Sequence, residues 1–494
     1  MGIVFRQSVK TSIVTFAGAL LGAATLYLGA KFIAKQELGF IRNTLPEQAA
    51  LVAQILSFGL NITLIVFVHK YEAGDRRRTA LISMSLFLPL LLFSALLPFY
   101  FFFKEDIISF FQPGDIPLVS RFYGWLPVLT VFFLYMLLLE QYLVSQMKVA
   151  ASTFMREVLL RTLTIVLIIL FGLHFISYEA LVPATVVVFV IPIALLVVMA
   201  FRTTGFRLSF DWNVFNREEK KEIASFTWYH FLLTISINMM SKIDIILLAF
   251  WSSLSATAIY GIAVYILSFL QIPYRAMLNA SFPILTKAYH DKDFKKVKDV
   301  FVRSSLNILV ASVGLAAITA CNLHNAVLLL PRGYEPIASL ALILMVGRLF
   351  DLSTGMNDQI LSISNYYRFT FWVSIVIVAL LIVLNYFLIS RYSYYGAALA
   401  TTLALIVYNF AKLIFIKVKL QLQPFSMKSL WVVLAGILAT LVGFVIPFIV
   451  HPVVDAIIRS AVICTIYLIL LIVFKPSPDL NSYLASVRKN KRLF

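Results

Sequence analysis

Long uninterrupted runs of apolar residues recur along the whole chain and limit the folds that it can adopt. About 20 helical residues cross the hydrocarbon core of a bilayer. Helices satisfy their own backbone hydrogen bonds in lipid, and these runs exceed the length of a barrel strand. The pattern predicts an all-α, polytopic membrane protein with about 14 transmembrane helices, at residues 12–34, 49–69, 81–103, 121–143, 158–176, 180–201, 223–251, 256–280, 303–323, 336–357, 369–389, 394–416, 428–449 and 454–474.

The composition excludes the other broad classes of protein. Of the 494 residues, 61% are hydrophobic and 13% are charged, whereas about 25% of the residues of a soluble domain are charged. The two cysteines, Cys321 and Cys464, are too few for a disulfide framework. A soluble enzyme, a disordered chain and a disulfide scaffold are thereby ruled out. The first apolar run extends past the core of a signal peptide, and we expect it to be an uncleaved first helix.

The net charge of +18 is explained by membrane topology. Most of the 41 Lys and Arg residues fall in alternate connecting segments or near span ends, and Lys242, Arg275 and Arg348 are the three that are predicted to lie deep inside spans. Because basic residues accumulate on the cytoplasmic side, this bias predicts that both termini are cytoplasmic. We expect anionic lipid headgroups as neighbours and no nucleic-acid partner.

A faint internal repeat divides the chain. Arg161 and Arg368 each begin an apolar helix that is followed by a turn and a second apolar helix. Because six spans separate the two copies, they are parallel repeats about an axis along the membrane normal. We predict two six-helix lobes, 1–222 and 223–420, related by a pseudo-twofold, and an additional transmembrane hairpin with a cytoplasmic tail, 421–494.

Several short segments resemble one family of membrane carriers. They are Ser241–Leu247, Ala258–Ala263, Leu270–Pro273 with Phe282–Leu285, and Gly333–Ala338. These segments are similar to bacterial polysaccharide transporters, the oligosaccharide flippases of the multidrug/oligosaccharidyl-lipid/polysaccharide (MOP) exporter superfamily. The resemblance implies a two-lobed, alternating-access carrier of the inner membrane that moves polyprenyl-diphosphate-linked sugars, such as O-antigen, capsule or exopolysaccharide precursors. Polysaccharide polymerase and ligase machinery would then be its protein partners.

A polar stripe runs along the seventh predicted span. His230, Thr234, Asn238 and Lys242 recur every four residues on an otherwise apolar helix, and side chains at i and i+4 share a face. A charge at mid-bilayer costs roughly 2.5–3.5 kcal/mol, so we predict that Lys242 faces an anionic substrate in a cavity. Interhelical hydrogen bonding is the alternative. Asp244 points away from Lys242 and is either a proton carrier or a partner for another helix's cation.

A second polar stripe lies on the eighth predicted span. Gln271, Arg275 and Asn279 are spaced at four residues, and Pro273 interrupts them. Proline removes a backbone hydrogen bond and bends transmembrane helices, as suits a moving or cavity-lining element. Arg275 either faces this cavity or extends its side chain to the headgroups.

The tenth predicted span contains a possible ion pair. Arg348 and Asp351 are three residues apart and can pair, with Asp358 farther along the same side. The pair either locks helices together or acts as a switch, which opens when a diphosphate competes for Arg348 or a proton neutralises Asp351. A guanidinium suits bidentate contact with phosphate. The predicted cationic cavity comprises Lys242, Arg275, Arg348, Asn238, Gln271 and Asn279, and the candidates for coupling or ion pairing are Asp244, Asp351 and Asp358.

Three functions fit this topology. A lipid-linked oligosaccharide flippase is favoured over an ion-coupled multidrug antiporter of the same superfamily, because the deep cations outnumber the deep acids. A membrane-embedded sugar polymerase or ligase is the third, but such enzymes resemble chains with one large outer loop. The sequence has no Walker A, zinc-ligand or Gly-x-Ser-x-Gly motif. We therefore expect no catalysis, metal or cofactor, and leave coupling to protons, sodium ions or the membrane potential open.

Overall fold

Helices make up most of the described backbone. The structure is a computed structural model, and it describes residues 2–72, 74–203, 206–209, 211–364, 366–449 and 451–476. These residues contain no strand, and the predicted all-α class is confirmed. The predicted cytoplasmic tail after residue 476 lies outside the described residues.

Helix packing divides the chain into two compact units, Met1–Ala258 and Ile259–Phe494. The predicted lobes and hairpin concern an internal repeat, which this division does not test, and they stay predictions. Helices α1 to α13 belong to the first unit, and α14 runs across the boundary between the two units. They are Gly2–Phe32, Lys35–Leu38, Leu45–Leu56, Leu60–Phe67, Arg76–Phe102, Lys104–Ser109, Ile116–Phe122, Trp125–Ser145, Val149–Phe154, Leu160–Gly172, Tyr178–Val187, Val190–Phe201, Arg217–Trp251 and Leu254–Ser268.

Helices α15 to α21 belong to the second unit. They are Ile272–His290, Phe294–Leu328, Ile337–Ser353, Asn357–Ile363, Tyr367–Leu420, Met427–Val445 and Pro452–Phe474.

The predicted count of 14 spans is not confirmed. Among the described residues, 10 helices are long and apolar enough to cross a membrane, or up to 12 if each of two bent pairs is one span. Two predicted spans, 369–389 and 394–416, lie within α19, where two helices meet at a kink at Ser393 (φ 52°). This kink coincides with the turn predicted between those two spans. A third predicted span, 158–176, lies where a π-helical turn separates α9 from α10. Apolar runs therefore locate the helical segments, and the structure adds the irregular turns that join them.

The break between α3 and α4 positions α13. The chain bends by 56° there, and Gly59 has a φ of +78°, a conformation that favours glycine. A Cβ atom on Gly59 would meet the carbonyl oxygen of Thr227 on α13. The hydroxyl oxygens of Thr63 and Thr227 lie 2.8 Å apart. Glycine thus allows the bent pair to pack directly on the helix that carries the first polar stripe.

Connecting segments that are predicted to be cytoplasmic meet one another in the first unit. The Arg77 guanidinium lies 2.8 Å from Asp75 and 3.0 Å from Glu219, and the Lys70 ammonium lies 2.5 Å from Glu222. Hydrogen bonds from Arg77 hold the pKa of the Asp75 carboxyl below its ordinary value.

Segments that are predicted to be on the outer side also meet. The Asp115 carboxylate accepts hydrogen bonds from the Gln36 amide group at 2.7 Å and from the Leu254 backbone N–H at 2.9 Å. Arg121 pairs with Glu179. Within the first unit, segments assigned to the same side therefore lie together.

A buried ion pair attaches α21 to its neighbours in the second unit. The Asp455 carboxylate accepts hydrogen bonds from Arg459 at 2.9 and 3.0 Å and from Asn325 of α16 at 2.5 Å. Arg459 also donates to the carbonyl oxygen of Gly443 on α20 at 2.5 Å. The prediction that Lys242, Arg275 and Arg348 are the deep basic residues is therefore incomplete, since Arg459 and Lys412 are buried within helices.

Candidate functional site

Helix α13 carries the first polar stripe, and the structure adds a partner to it. The Lys242 ammonium lies 2.5 Å from the Glu47 carboxylate of α3, with 25% and 30% of the two side chains exposed. The Asn238 amide group donates to the carbonyl oxygen of Thr234 at 2.9 Å. Glu47 immediately precedes the predicted span 49–69, but the sequence does not show that this position faces α13. The predicted cation is therefore half-buried and already paired.

Asp244 lies two residues after Lys242 on α13 and is more deeply buried. It is only 4% exposed, whereas Lys242 is half-buried. That the two side chains point away from each other stays a prediction. Whether Asp244 carries a proton or neutralises a cation stays a prediction.

The second stripe lies where α14 and α15 join within one helical span, Leu254–His290. A 3₁₀ turn at Phe269–Gln271 interrupts the α-helix directly before Pro273, which stands in the first turn of α15. A missing N–H costs little at that position. The Arg275 guanidinium lies 3.4 Å from the Gln271 side-chain oxygen. Arg275 and Asn279 are exposed, and the choice between cavity and headgroups stays open for Arg275.

The predicted ion pair on the tenth span is present. The Arg348 guanidinium lies 3.3 Å from Asp351 along α17, with 29% and 26% of the side chains exposed. The other oxygen of Asp351 accepts a hydrogen bond from the buried Asn409 amide group of α19 at 2.9 Å. Asp351 is thus fixed from two directions, whereas the Arg348 side chain remains partly accessible.

The structure corrects the position of Asp358. Helix α17 ends at Ser353, Gly355 has a φ of +66°, and α18 is bent by 42° from α17. Asp358 therefore does not continue the Arg348 side of one helix. Instead, both of its carboxylate oxygens lie 3.0 Å from the ammonium of Lys412 on α19.

Lys412 is a charged residue that the sequence reasoning missed. It lies inside the predicted span 394–416, near the end that we expect to be cytoplasmic, where it is easily taken for an interfacial lysine. Its ammonium lies 3.8 Å from the centre of the Tyr408 ring, one helical turn earlier. The position inside the span was the available signal.

The candidate residues fall into both units. Lys242, Asn238 and Asp244 belong to the first, and the other six belong to the second. A cavity common to both sets stays a prediction. Each unit presents a half-buried cation paired with a carboxylate, and such a pair can exchange its carboxylate for a stronger anionic ligand. Among the described residues, no group of three or more His, Cys, Asp or Glu side chains could hold a metal ion.

A helical fold with many membrane-spanning segments and charged side chains inside them is typical of membrane transporters. The model of the polysaccharide biosynthesis protein family matches residues 4–289. The chain belongs to this family, and the resemblance found in its sequence is confirmed. No curated protein sequence matches the chain.

Solved structures of the MOP superfamily share the fold. A lipid II flippase, MurJ, in an inward closed conformation has a TM-score of 0.73 at 16% identity, over 94% of this chain and 98% of that one. An inward-facing multidrug resistance MATE family transporter has a TM-score of 0.61 at 15% identity, over 83% and 98% of the two chains. A MOP superfamily transporter from Pyrococcus furiosus Vc1 has a TM-score of 0.57 at 16% identity, over 84% and 95%. These identities are low, so the likeness concerns the fold.

Proposed function

We propose that the protein is a flippase that moves a polyprenyl-diphosphate-linked oligosaccharide across the bacterial inner membrane by alternating access. The observation that carries this proposal is Arg348, a partly accessible guanidinium within a membrane-spanning helix. Its contact with Asp351 is 3.3 Å long, whereas charge-assisted bonds to phosphate are typically about 2.7–2.9 Å. A diphosphate can therefore replace this contact with shorter ones. The substrate would be an O-antigen, capsule or exopolysaccharide precursor.

The family and the fold support this assignment. Membership in the polysaccharide biosynthesis family indicates a sugar-containing substrate. The solved structure with a TM-score of 0.73 is a flippase of lipid II. Anionic lipids, and polysaccharide polymerase and ligase machinery, are the partners that we propose. The carrier itself would need no cofactor, and protons, sodium ions or the membrane potential would drive it.

An ion-coupled multidrug antiporter is the second candidate, because MATE family transporters share the fold. Such a carrier needs free carboxylates for a cationic drug. Glu47, Asp351 and Asp358 instead each pair with a basic side chain. This pairing favours the anionic substrate. A sugar polymerase or ligase is the remote alternative, since the family and fold are those of transporters.

Depletion of the protein tests the proposed substrate class. We expect cells that lack it to accumulate one defined diphosphate-linked oligosaccharide on the inner leaflet, because synthesis continues while translocation stops. Mass spectrometry of lipid extracts identifies the lipid, and an impermeant sugar-modifying reagent reports its leaflet. Cells complemented with the wild-type chain are the control. If no diphosphate-linked glycan accumulates, the flippase assignment is wrong.

The Lys242–Glu47 pair provides a second prediction. We expect Lys242→Met to abolish export with little change in protein abundance, because a partly exposed ion pair contributes only about 1 kcal/mol or less to stability. Glu47→Gln is the matched variant. It leaves the cation without its counter-ion and should retain export. Export and immunoblotted abundance are measured together, and a parallel loss of abundance in both variants would show that the pair is structural.

Cysteine labelling tests the proposed orientation. In a chain in which Cys321 and Cys464 are replaced by serine, we expect Arg77→Cys and Lys295→Cys to resist an impermeant thiol reagent in intact cells. Both positions lie in segments that are rich in basic residues and therefore predicted to be cytoplasmic. Arg332→Cys, in a predicted outer segment, should react and serves as the control. Labelling of position 77 or 295 from outside would overturn the proposed topology.

A further inference from the structure

Among the described residues of the second unit, Lys412 has the most deeply buried basic side chain, and the candidate substrate site does not use it. Only 1% of the side chain is exposed. The desolvation of a charge costs several kcal/mol, so a buried ammonium persists only where its surroundings compensate for the loss of water. A polar but uncharged side chain could form a hydrogen bond between two helices with a smaller desolvation free energy. The charge of Lys412 therefore needs a specific explanation.

The groups around the ammonium resemble those that bind a free cation. Asp358 of α18 presents both carboxylate oxygens at 3.0 Å, and the Tyr408 ring lies 3.8 Å from the ammonium, as in cation–π contacts. The Tyr408 hydroxyl lies 3.4 Å from Asp358. Asp351 of α17 contributes a further negative charge nearby. One carboxylate and an aromatic face thus contact the positive charge, and a second carboxylate acts on it from a greater distance.

The two ends of this arrangement differ in access. Asp358 has 44% of its side chain exposed, whereas Lys412 approaches it from inside the helix packing. The carboxylate therefore has an exposed side outside the helix packing, while the ammonium fills the protein side of the same position. This geometry also spans the helix break, since α19 contacts Asp351 before the break through Asn409 and Asp358 after it through Lys412.

We infer that Lys412 is a tethered cation, which permanently fills a small monovalent-cation site formed by the Asp358 carboxylate and the Tyr408 ring. The ligands that this site would accept are a primary ammonium ion of small size or a monovalent metal cation. The tether removes the need for a free cation at this position. The consequence for transport, that exchange does not require sodium ions here, depends on the proposed function. The occupancy of the site by the Lys412 ammonium is independent of the proposed function.

Removal of the Lys412 ammonium should leave the cation site empty and able to bind a free cation. We expect Lys412→Ala to have a lower Tm than the wild-type protein in detergent, because Asp358 loses its partner. Methylammonium chloride should raise the Tm of this variant saturably by a few degrees over choline chloride at equal ionic strength, since a ligand that binds only the folded state stabilises it. Sodium chloride is titrated in the same way to test a metal cation.

Three controls make the result specific. Wild-type protein should show no saturable difference between the salts, and neither should Lys417→Ala, which removes an exposed lysine of the same helix. The double variant Lys412→Ala/Asp358→Asn should lose the response. If Lys412→Ala yields no folded protein, purification in methylammonium rather than choline becomes the measurement, and recovery of folded protein is expected.

The inference is overturned if neither methylammonium nor sodium stabilises or recovers Lys412→Ala, or if the double variant responds equally. A saturable sodium response of the wild-type protein that Asp358→Asn abolishes would also overturn it, because the site would then not be filled. None of these measurements uses the lipid substrate. Their outcome is therefore separate from that of the depletion experiment.

Discussion

Arg348→Gln is expected to weaken binding of a polyprenyl diphosphate by roughly 30-fold or more and to leave binding of a lipophilic cation unchanged. Loss of one partner of a desolvated charge pair costs about 2–5 kcal/mol, and every 1.4 kcal/mol is about tenfold in affinity. Glutamine keeps the approximate length and hydrogen-bonding capacity of arginine but not its charge. Binding to the purified protein is measured for one ligand of each kind.

Asp351→Asn is the paired variant. The structure holds Asp351 between Arg348 and Asn409, so the substitution releases the guanidinium while retaining an acceptor for Asn409. Diphosphate binding should stay the same or become tighter, and turnover should slow. A ligand shifts a conformational equilibrium only through its differential affinity for the two states. In the proposed mechanism, that difference in affinity comes from competition between Asp351 and the diphosphate for the Arg348 guanidinium. Asp351→Asn weakens this competition, and turnover slows.

An antiporter would show the opposite pattern. Asp351→Asn would then remove binding of the lipophilic cation, and Arg348→Gln would preserve or improve it. Arg332→Gln, at an exposed turn outside the helices, is the control for a general effect of charge. If neither α17 variant changes the binding of either ligand, this helix is scaffold and the site assignment there is wrong.

The largest expected effect on stability comes from Asp455→Asn. Asp455 is fully buried and Arg459 is 9% exposed, and breaking a buried ion pair by removing one charge costs about 3–5 kcal/mol. The arginine would lose its counter-ion while its contact with Gly443 still holds it inside the protein. We expect a marked drop in the apparent Tm of the purified protein, measured in detergent by thermal unfolding.

The Arg303–Asp299 pair is a matched control for that experiment. It has the same i,i+4 spacing, but its side chains are 51% and 54% exposed. Exposed pairs of this kind contribute about 0.3–0.5 kcal/mol, so Asp299→Asn should change the Tm little. Equal shifts for the two variants would contradict the view that burial makes Asp455 essential to the attachment of α21.

Some parts of the candidate site follow from helical spacing. The Arg348–Asp351 contact lies within one helix, and residues three apart on a helix are neighbours. The predicted opposite orientations of Lys242 and Asp244 have the same origin. The Asp455–Arg459 pair, at i,i+4, could also have been found in this way. Arg459 lies near the outer end of the predicted span 454–474, where a basic side chain can also reach the headgroups.

Other contacts depend on which helices are neighbours. Glu47 meets Lys242 across 195 residues of sequence, and no local pattern indicates this pairing. Lys412 meets Asp358 only because the chain breaks at Gly355 and α18 turns toward α19. The backbone at Gly355 has a positive φ, which glycine allows but does not by itself require.

The sequence by itself determined that this protein lies in a lipid bilayer, that it is helical and which family it belongs to. The hydrocarbon of a bilayer demands long apolar runs and internally satisfied backbone, and both are local properties of a chain. Tertiary structure alone decided the angles at which helices bend and the counter-ion of each cation that pairs across helices. Those choices arise from packing between distant segments, where a bend of 42° or 56° changes which side chains come into contact.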